Sequence, residues 1–470
     1  MIEELKNQKG TIEKAIKLAH ETNEEINSFV TIIDNPKISE NQDLLLANIP
    51  YAAKDLFSTA GILTTGSSNI LKDYVPFYDA TVIKRLNEAG AVLIGKTVCD
   101  EFGLGGTGTT GHTGVVRNPW NPEFVAGGSS SGSATSVALG IVPFALGTDT
   151  GDSIRKPASL CGVVGYKPTY GLISRYGVLP FASSLDHVGV FTRSVKDAAT
   201  VVDLIKGPDG KDMTALNEIE NLAPQLDKKV AGKKLFYVKE LCELSSYENP
   251  DESTVNTLNT FNKSLEIAKS LGMSVEAVSI DKNILEALGP AYTIISCAEA
   301  TSNLSMYTGI NYGPRGESTN IYEMMKDART KGFSPLIKRR LVIGSYVLQE
   351  ENQERYFLNA QRVRTLINEE MHKLFTKYDA MIAPASTEAT PISKASDVIS
   401  DSNANVSTLL LTGNFGGFPS ITIPNGFSND LPIGLNITGN IQRDADVLNI
   451  AAALEEKLGY AGIIAGGKHE

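Results

Sequence analysis

The sequence predicts an α/β fold in which helices cover both faces of one large mixed β-sheet, an α/β/α sandwich. Short apolar segments typical of buried strands alternate with segments of helical spacing along the whole chain. No internal repeat and no linker rich in Pro, Gly or Ser divides the 470 residues, which are enough to bury a large core. We therefore expect a single domain over residues 1–470.

The predicted elements follow one another in a regular alternation. Apolar residues at helical spacing predict a helix over residues 10–25, and a second helix over 79–90 ends at Gly90. The predicted strands are FVTII (29–33), IPYAAKDLF (49–57), AVLIGK (91–96), VPFALG (142–147), VVGYKP (163–168), KKLFYV (233–238), SVEAVS (274–279), AMIAPA (380–385), SITIPNG (420–426) and IGLNITG (433–439). Further helices are predicted over SGSATSVALG (131–140), SIRKPASL (153–160), 251–271 and 443–459, and residues 335–378 are predicted to form a long charged helical region.

One segment breaks this alternation. Between Gly103 and Gly132 the composition changes to Gly, Ser and Thr with two prolines. A flexible linker is the simple alternative, but the segment lies between strong elements and contains Trp120. We expect a long structured loop.

Bulk composition excludes several classes of function. A net charge of −11 argues against a broad nucleic-acid-binding face, which has to be positive. Four widely spaced cysteines indicate reduced thiols in a cytoplasm and offer no metal-binding spacing. The N-terminus lacks the apolar core of a signal peptide, and no apolar run is long enough to span a membrane.

Lys54 is a candidate catalytic base. Gly128, Ser130 and Gly132 match the G-x-S-x-G motif of serine hydrolases, but no histidine stands in a context that suits its base. Lys54 follows small and apolar residues on a predicted buried strand, where desolvation favours the neutral amine that a base requires. Taken alone, it is more simply a partner of Asp55 or a surface lysine.

The loop GTDTGDSIR (147–155) has the construction of an oxyanion hole. Gly151 frees the backbone just before a helix predicted to begin near Ser153, so that consecutive N–H groups can point at one place. An isolated Gly-Asp-Ser would more often be an ordinary helix cap.

Residues 127–189, GGSSSGSATSVALGIVPFALGTDTGDSIRKPASLCGVVGYKPTYGLISRYGVLPFASSLDHVG, resemble the hallmark block of the amidase signature family, and IPYAAKD resembles its lysine motif. The resemblance implies Ser153 as the nucleophile, Ser129 as the bridging serine and Lys54 as the base. It also implies an oxyanion hole formed by backbone N–H groups of Thr150, Gly151, Asp152 and Ser153, and no metal. It places the signature core at about residues 50–200.

Segments outside the block are similar to the family of A subunits of glutamyl-tRNA(Gln) or aspartyl-tRNA(Asn) amidotransferases. They are SCAEATSNLSMYTGINYG (296–313), ARTKGF (328–333), IKRRLVIGSYVL (337–348), NAQRVRTLI (359–367) and NFGGFPSITIPNGF (414–427). The resemblance implies glutamine hydrolysis, in a heterotrimer, that supplies ammonia to a B subunit. That B subunit would use ATP and Mg²⁺, a C subunit would wrap the other two, and tRNA would bind mainly elsewhere.

By the same resemblance, Tyr292 and Arg340 would contact glutamine in a helical, substrate-shaping region at about residues 290–378. A planar guanidinium suits a bidentate α-carboxylate. Two residues depart from the family pattern: Asp152 stands where a glycine is usual, and Ser407 stands where an aspartate normally binds the α-ammonium. Our hypothesis is that Asp152 supplies the negative charge that position 407 lacks, provided that its carboxylate points away from the oxyanion or is paired.

Two alternatives stay open at the level of sequence. A free-standing amidase for small amides would share the same three catalytic residues, and Ser407 favours it. A scaffold that keeps the fold without catalysis is the alternative of another class.

Overall fold

The computed structural model describes residues 2–5, 10–217, 220–395 and 404–466. In these ranges eleven strands form one mixed sheet in the order β1-β3-β2-β4-β6-β5-β10-β11-β9-β7-β8. The strands are β1 Phe29–Ile32, β2 Pro50–Lys54, β3 Val92–Thr97, β4 Phe144–Asp149, β5 Val164–Lys167, β6 His187–Thr192, β7 Lys234–Val238, β8 Ser274–Val278, β9 Ala380–Pro384, β10 Ser420–Ser428 and β11 Leu431–Gly439.

Helices connect these strands. They are α1 Ile2–Leu5, α2 Thr11–Ile26, α3 Thr81–Glu88, α4 Ser131–Ala138, α5 Arg155–Cys161, α6 Val195–Ile205, α7 Lys239–Cys242, α8 Glu252–Ser270, α9 Lys282–Asn303, α10 Ile321–Gly332, α11 Pro335–Val347, α12 Glu350–Gln353, α13 Asn359–Phe375, α14 Leu410–Phe415 and α15 Asp444–Leu458. Within the described ranges, no helix is long and apolar enough to cross a membrane.

Alternating side chains of the sheet enter two apolar clusters. Along β2, Tyr51 and Ala53 belong to one cluster and Ala52 belongs to the other. A strand that is buried on both sides has a layer of helices on each face. The predicted α/β sandwich with one large mixed sheet is therefore confirmed.

The sheet brings the ends of β2 and β4 together. These neighbouring strands are parallel, with Ala53 opposite Leu146, so their carboxyl ends lie at the same edge. Lys54 ends β2, and Thr148 is the last residue but one of β4. Because open α/β sheets bind ligands at the carboxyl ends of their strands, this edge is where a site is expected.

Several sequence predictions need correction. The helix predicted from Ser153 begins at Arg155, because residues 150–154 form the loop that turns the chain out of β4. The helical region predicted over 335–378 is confirmed and consists of α11, α12 and α13, with a π-helical turn at Glu354–Leu358 before α13. Among the longer elements, strand β6 and helices α6, α9 and α10 were not predicted.

Candidate active site

Lys54 is held by a ring of hydroxyl groups. Its side chain is fully buried, and Nζ donates to Ser129 Oγ at 2.7 Å, Ser130 Oγ at 2.9 Å and Thr148 Oγ1 at 2.8 Å. A short contact between an amine and a serine hydroxyl is the geometry that proton transfer requires. The structure thus brings Lys54 and Ser129 together.

Burial sets the charge of this lysine. Desolvation lowers the pKa of Lys54 to about 8, while the thiol of Cys99 and the carboxylates of Asp100, Asp149 and Asp186 act in the opposite direction. An amine with this pKa is partly neutral near physiological pH. It can therefore accept a proton, as an ordinary surface lysine cannot.

The Gly- and Ser-rich loop that carries Ser129 is tied to Asp100. Backbone N–H of Asp100 donates to Ser129 O at 3.1 Å, and its carboxylate accepts from the N–H groups of Gly108, Thr109 and Thr110. The Gly128–Ser129 peptide bond is cis, and a Cβ at Gly128 would collide with the Asp100 carboxylate. The prediction of a structured loop is confirmed.

Ser153 lies beside this loop and is 3 % exposed. Ser130 N donates to Ser153 O at 3.2 Å, which fixes the two segments side by side. Within the described residues, Ser153 Oγ makes no hydrogen bond, and neither do the backbone N–H groups of residues 150–153. Four unused donors next to an unbound hydroxyl suit the stabilisation of an oxyanion that forms on attack by that hydroxyl.

A buried ion pair anchors residues 150–153, the oxyanion loop. Arg155 Nη2 lies 2.9 Å from Asp149 Oδ1 and donates to Gly151 O at 2.7 Å, and Asn414 donates to Asp149 Oδ1 at 2.9 Å. Burial alone would raise the pKa of Asp149, but the Arg155 guanidinium holds it well below the usual range. The carboxylate therefore stays charged, and the loop is anchored by charge-assisted bonds.

Asp152, the unusual residue of this loop, has a partner. Lys156 Nζ lies 3.9 Å from its carboxylate, and the Asp152 side chain is 24 % exposed. Burial raises the pKa of Asp152 to about 6, an effect that the charge of Lys156 partly offsets. The carboxylate is therefore paired, as the hypothesis about this loop required.

Tyr292 and Arg340 lie near each other on two helices, and Tyr292 contacts the same loop. A Cβ at Gly151 would lie only 2.8 Å from Tyr292 Cζ, so the ring of this α9 residue packs directly on the loop. Burial raises the pKa of the Tyr292 phenol well above its usual range, and nearby Arg340 opposes the shift. Arg340, on α11, lies with its guanidinium 6.0 Å from the Phe181 ring. Among the described residues it has no carboxylate within 4 Å.

Ser407 is not held in the same way. It is half-buried in a 3₁₀ helix, Val406–Leu409, and its hydroxyl donates to Asn405 Oδ1 at 2.6 Å. The chain continues into Leu411, whose side chain packs on Gly151. The structure therefore places Ser407 on a neighbouring segment and shows no hydrogen bond between it and Asp152.

A cavity of about 230 Å³ lies against the end of β4. Its wall combines apolar side chains with polar groups; among them are Leu179, Phe181, Thr148, Thr150 and Asp186. Thr150 Oγ1 donates to Asp186 Oδ1 at 2.7 Å, and burial raises the pKa of Asp186 to about 6. The cavity therefore meets the loop at Thr150, whereas Ser153 and Tyr292 are not among its lining residues.

Sequence reasoning missed several residues of the site. Thr148 contacts Lys54, and Lys156 pairs with Asp152, yet neither was a candidate. A threonine near the end of a buried strand beside the lysine strand, and a lysine four residues after Asp152, were the available signals. No group of three or more His, Cys, Asp or Glu in the described part of the chain could hold a metal ion.

Comparison with known proteins identifies the family. The amidase family model matches residues 2–448. The A subunit of the glutamyl-tRNA(Gln) amidotransferase of Thermotoga maritima is 37 % identical over 96 % of this chain and 96 % of that protein. The corresponding protein of Halothermothrix orenii is 41 % identical over 94 % and 92 % of the two chains. A crystal structure of the Thermotoga maritima protein, 34 % identical by structural alignment, matches with a TM-score of 0.81 over 97 % of this chain and 94 % of that chain. The chain therefore belongs to the amidase family and, within it, to the A subunits of glutamyl-tRNA(Gln) amidotransferases.

Proposed function

We propose that this chain hydrolyses glutamine and releases ammonia for the transamidation of Glu-tRNA(Gln), Asp-tRNA(Asn) or both. The observation that carries the chemistry is the 2.7 Å contact between Lys54 Nζ and Ser129 Oγ. It lies beside the Ser153 hydroxyl and the N–H groups of residues 150–153, which make no hydrogen bond within the described part of the chain. Identity of 37–41 % over nearly the whole chain to A subunits supports the biological reaction.

The proposed mechanism has two halves. Ser153 Oγ attacks the carboxamide carbon while its proton passes to Ser129 and a proton of Ser129 passes to neutral Lys54. The N–H groups of residues 150–153 stabilise the oxyanion. A proton then returns through Ser129 to the leaving nitrogen, the C–N bond breaks, and ammonia departs from an ester on Ser153. Water hydrolyses this ester through the same relay and releases glutamate.

Arg340, Tyr292 and Asp152 are the groups to which we assign the recognition of glutamine. Arg340 would bind the α-carboxylate, because it is a guanidinium without an acidic partner in the described structure. Tyr292 would contact the substrate with its protonated phenol, and Asp152 would face the α-ammonium. Ser407 could add only an acceptor oxygen, since its hydroxyl proton is used by Asn405.

The chain would act as one member of a heterotrimer with B and C subunits. ATP and Mg²⁺ would bind to the B subunit, and tRNA would be reached only through the complex. The net charge of −11 is compatible with this division, because tRNA binding needs a positive face elsewhere. The cytoplasm, where charged tRNA is used, is the proposed location.

The test is a glutaminase assay of the purified chain with and without candidate B and C subunits. The chain should co-purify in a heterotrimer, show little activity alone, and gain activity in the complex. In the complex, the nitrogen of the glutamine amide should then be found in the side-chain amide of the aminoacyl-tRNA product. High activity of the isolated chain on simple amides, without gain from the partners, would overturn the proposal.

A free-standing amidase is the second candidate. One observation favours it: the aspartate expected at position 407 is a serine whose hydroxyl is turned to Asn405. Comparison of kcat/KM for glutamine and for butanamide decides between the two candidates. A glutaminase should prefer glutamine by at least tenfold.

A further inference from the structure

Glu101 is a buried carboxylate that the proposed mechanism does not use. It is 3 % exposed and follows Asp100, whose own N–H holds Ser129 O. Its oxygens accept from Ser68 Oγ at 2.5 Å and from the backbone N–H of Ser334 at 3.2 Å. A buried carboxylate with so few partners indicates that its position serves something beyond packing.

Ser334 is the N-cap residue of helix α11. Its side chain accepts from Ile337 N at 3.4 Å, and Pro335 occupies the first helical position. The bond from Ser334 N–H to Glu101 therefore fixes the start of α11, and with it the position of Arg340 less than two turns further along. Helix α11 is thus tied to the segment that also holds the relay serine.

Helices α11 and α9 form one unit. Thr301 Oγ1 of α9 donates to Cys297 O of its own helix and lies 3.3 Å from Leu341 O of α11, and a Cβ at Gly344 would collide with Cys297 O of α9. Because the helices pack this closely, the position of α11 on α9 sets where Arg340 lies beside Tyr292.

We propose that Glu101 is a positioning residue, whose bond to Ser334 N–H sets the distance between the Lys54–Ser129 relay and Arg340. This inference rests on the proposed function, because it assigns Arg340 to the α-carboxylate of glutamine. Loss of the bond releases the start of α11, so that Arg340 no longer lies where the carboxylate of a correctly placed amide would be. Displacement by about 1 Å can weaken such an interaction by up to two orders of magnitude.

The backbone of Ser334 allows a selective test. Its φ of −65° and ψ of 163° suit proline, and the extended Phe333 before it, with φ −96° and ψ 140°, tolerates a following proline. Ser334→Pro deletes the N–H that Glu101 accepts, together with the capping hydroxyl. Ser334→Ala deletes the hydroxyl alone and is the matched control.

Two amides separate positioning from general damage. 4-Aminobutanamide is glutamine without its α-carboxylate, so its hydrolysis does not depend on Arg340. For the full complex with B and C subunits, we expect Ser334→Pro to raise KM for glutamine at least tenfold and KM for 4-aminobutanamide less than threefold. Ser334→Ala should change both by less than threefold. In a Ser153→Ala background, the Kd of glutamine measured by calorimetry should likewise rise more with Ser334→Pro than with Ser334→Ala.

Equal effects of Ser334→Pro and Ser334→Ala on glutamine, or equal effects of Ser334→Pro on the two amides, overturn the inference. If Ser334→Pro does not fold, Glu101→Gln decides, because a neutral acceptor weakens the bond but keeps the shape. It should raise KM for glutamine at least threefold and leave 4-aminobutanamide unchanged, and equal changes overturn the inference. A parent complex that hydrolyses 4-aminobutanamide but not glutamine overturns the proposed function itself.

Discussion

The relay and the recognition groups of this site are built in opposite ways. Lys54 is fully buried and makes three hydrogen bonds shorter than 3 Å. Ser129 and Ser153 are almost completely buried. Tyr292 and Arg340 are only half-buried, and Arg340 lacks an acidic partner among the described residues. The groups assigned to chemistry are thus already fixed by the fold, whereas those assigned to recognition are left open for a ligand.

Removal of the nucleophile should have the largest effect. Ser153→Ala should lower kcat by about 10⁴-fold or more, by analogy with other serine enzymes, because the acyl-enzyme cannot form. The variant should also lose labelling by a serine-directed acylating probe, and its melting temperature should not fall, because Ser153 Oγ bonds to nothing in the described structure.

Ser136→Ala is the matched control. It removes a buried hydroxyl from helix α4 that bonds only to Ser133 O among the described residues, and it should keep activity and labelling. Labelling of the Ser153→Ala variant, or an unlabelled parent, would favour the non-catalytic scaffold.

Two buried lysines allow the relay itself to be tested. Lys54 and Lys96 are both fully buried, and desolvation lowers the pKa of each to about 8. Only Lys54 contacts Ser129, whereas Lys96 donates to Phe57 O and pairs with Asp55 at 3.6 Å. Lys54→Met should lower kcat by about 10²–10⁴-fold, the usual contribution of a general base.

Lys96→Met should instead act on stability. Loss of one partner of a buried pair costs about 3–5 kcal/mol, so the melting temperature of Lys96→Met should fall while the residual folded protein stays active.

In the parent, kcat/KM should rise with pH through about 8, because the base is the neutral form of Lys54. A flat profile between pH 6 and 9, or equal loss of kcat in both variants, would show that Lys54 is only structural.

The same contrast explains what the sequence could predict. Lys54, Ser129 and Ser153 were candidates because two contiguous motifs carry them. Thr148 escaped notice because a single threonine in a buried strand has no pattern of its own, and only the parallel pairing of β2 and β4 places it against the lysine.

Strand β6 and helix α9 were missed for a related reason. Strand β6, HVGVFT, begins with a histidine and ends with a threonine, so its apolar run covers only residues 188–191. Helix α9 contains Pro290, which usually indicates the end of a helix. In both cases tertiary packing, which a local pattern does not contain, decides the structure.

Arg340 gives the largest effect on the recognition side. Arg340→Gln should raise KM for glutamine by about 10- to 150-fold, the usual value of about 1.5–3 kcal/mol for hydrogen bonds to a charged group. KM for 4-aminobutanamide should change less than threefold. The exposed neighbour Arg339 provides the control, because Arg339→Gln removes the same charge outside the site. Equal increases of KM for glutamine in the two variants would show that Arg340 does not bind the α-carboxylate.

Asp152 should have a smaller effect that depends on the ammonium. Asp152→Asn should raise KM for glutamine by about tenfold, since a hydrogen bond to a charged group contributes about 1.5 kcal/mol at the low end of its usual range. KM for 4-carbamoylbutanoate, which is glutamine without its amino group, should stay the same. In the parent, KM for glutamine should fall as pH rises through about 6, because the charged carboxylate is the binding form. An equal loss on both substrates would refute the hypothesis.

Ser407 should have the smallest effect, and it decides whether positions 152 and 407 are linked. Ser407→Ala should change KM for glutamine less than threefold, because the hydroxyl is used by Asn405. If Asp152 replaces a carboxylate that position 407 lacks, Ser407→Asp should restore glutamine binding in an Asp152→Asn background. The double variant should then bind within about threefold of the parent, a coupling that a double-mutant cycle measures. Strictly additive effects would mean that the two positions act independently, and that Asp152 serves the loop and not the ammonium.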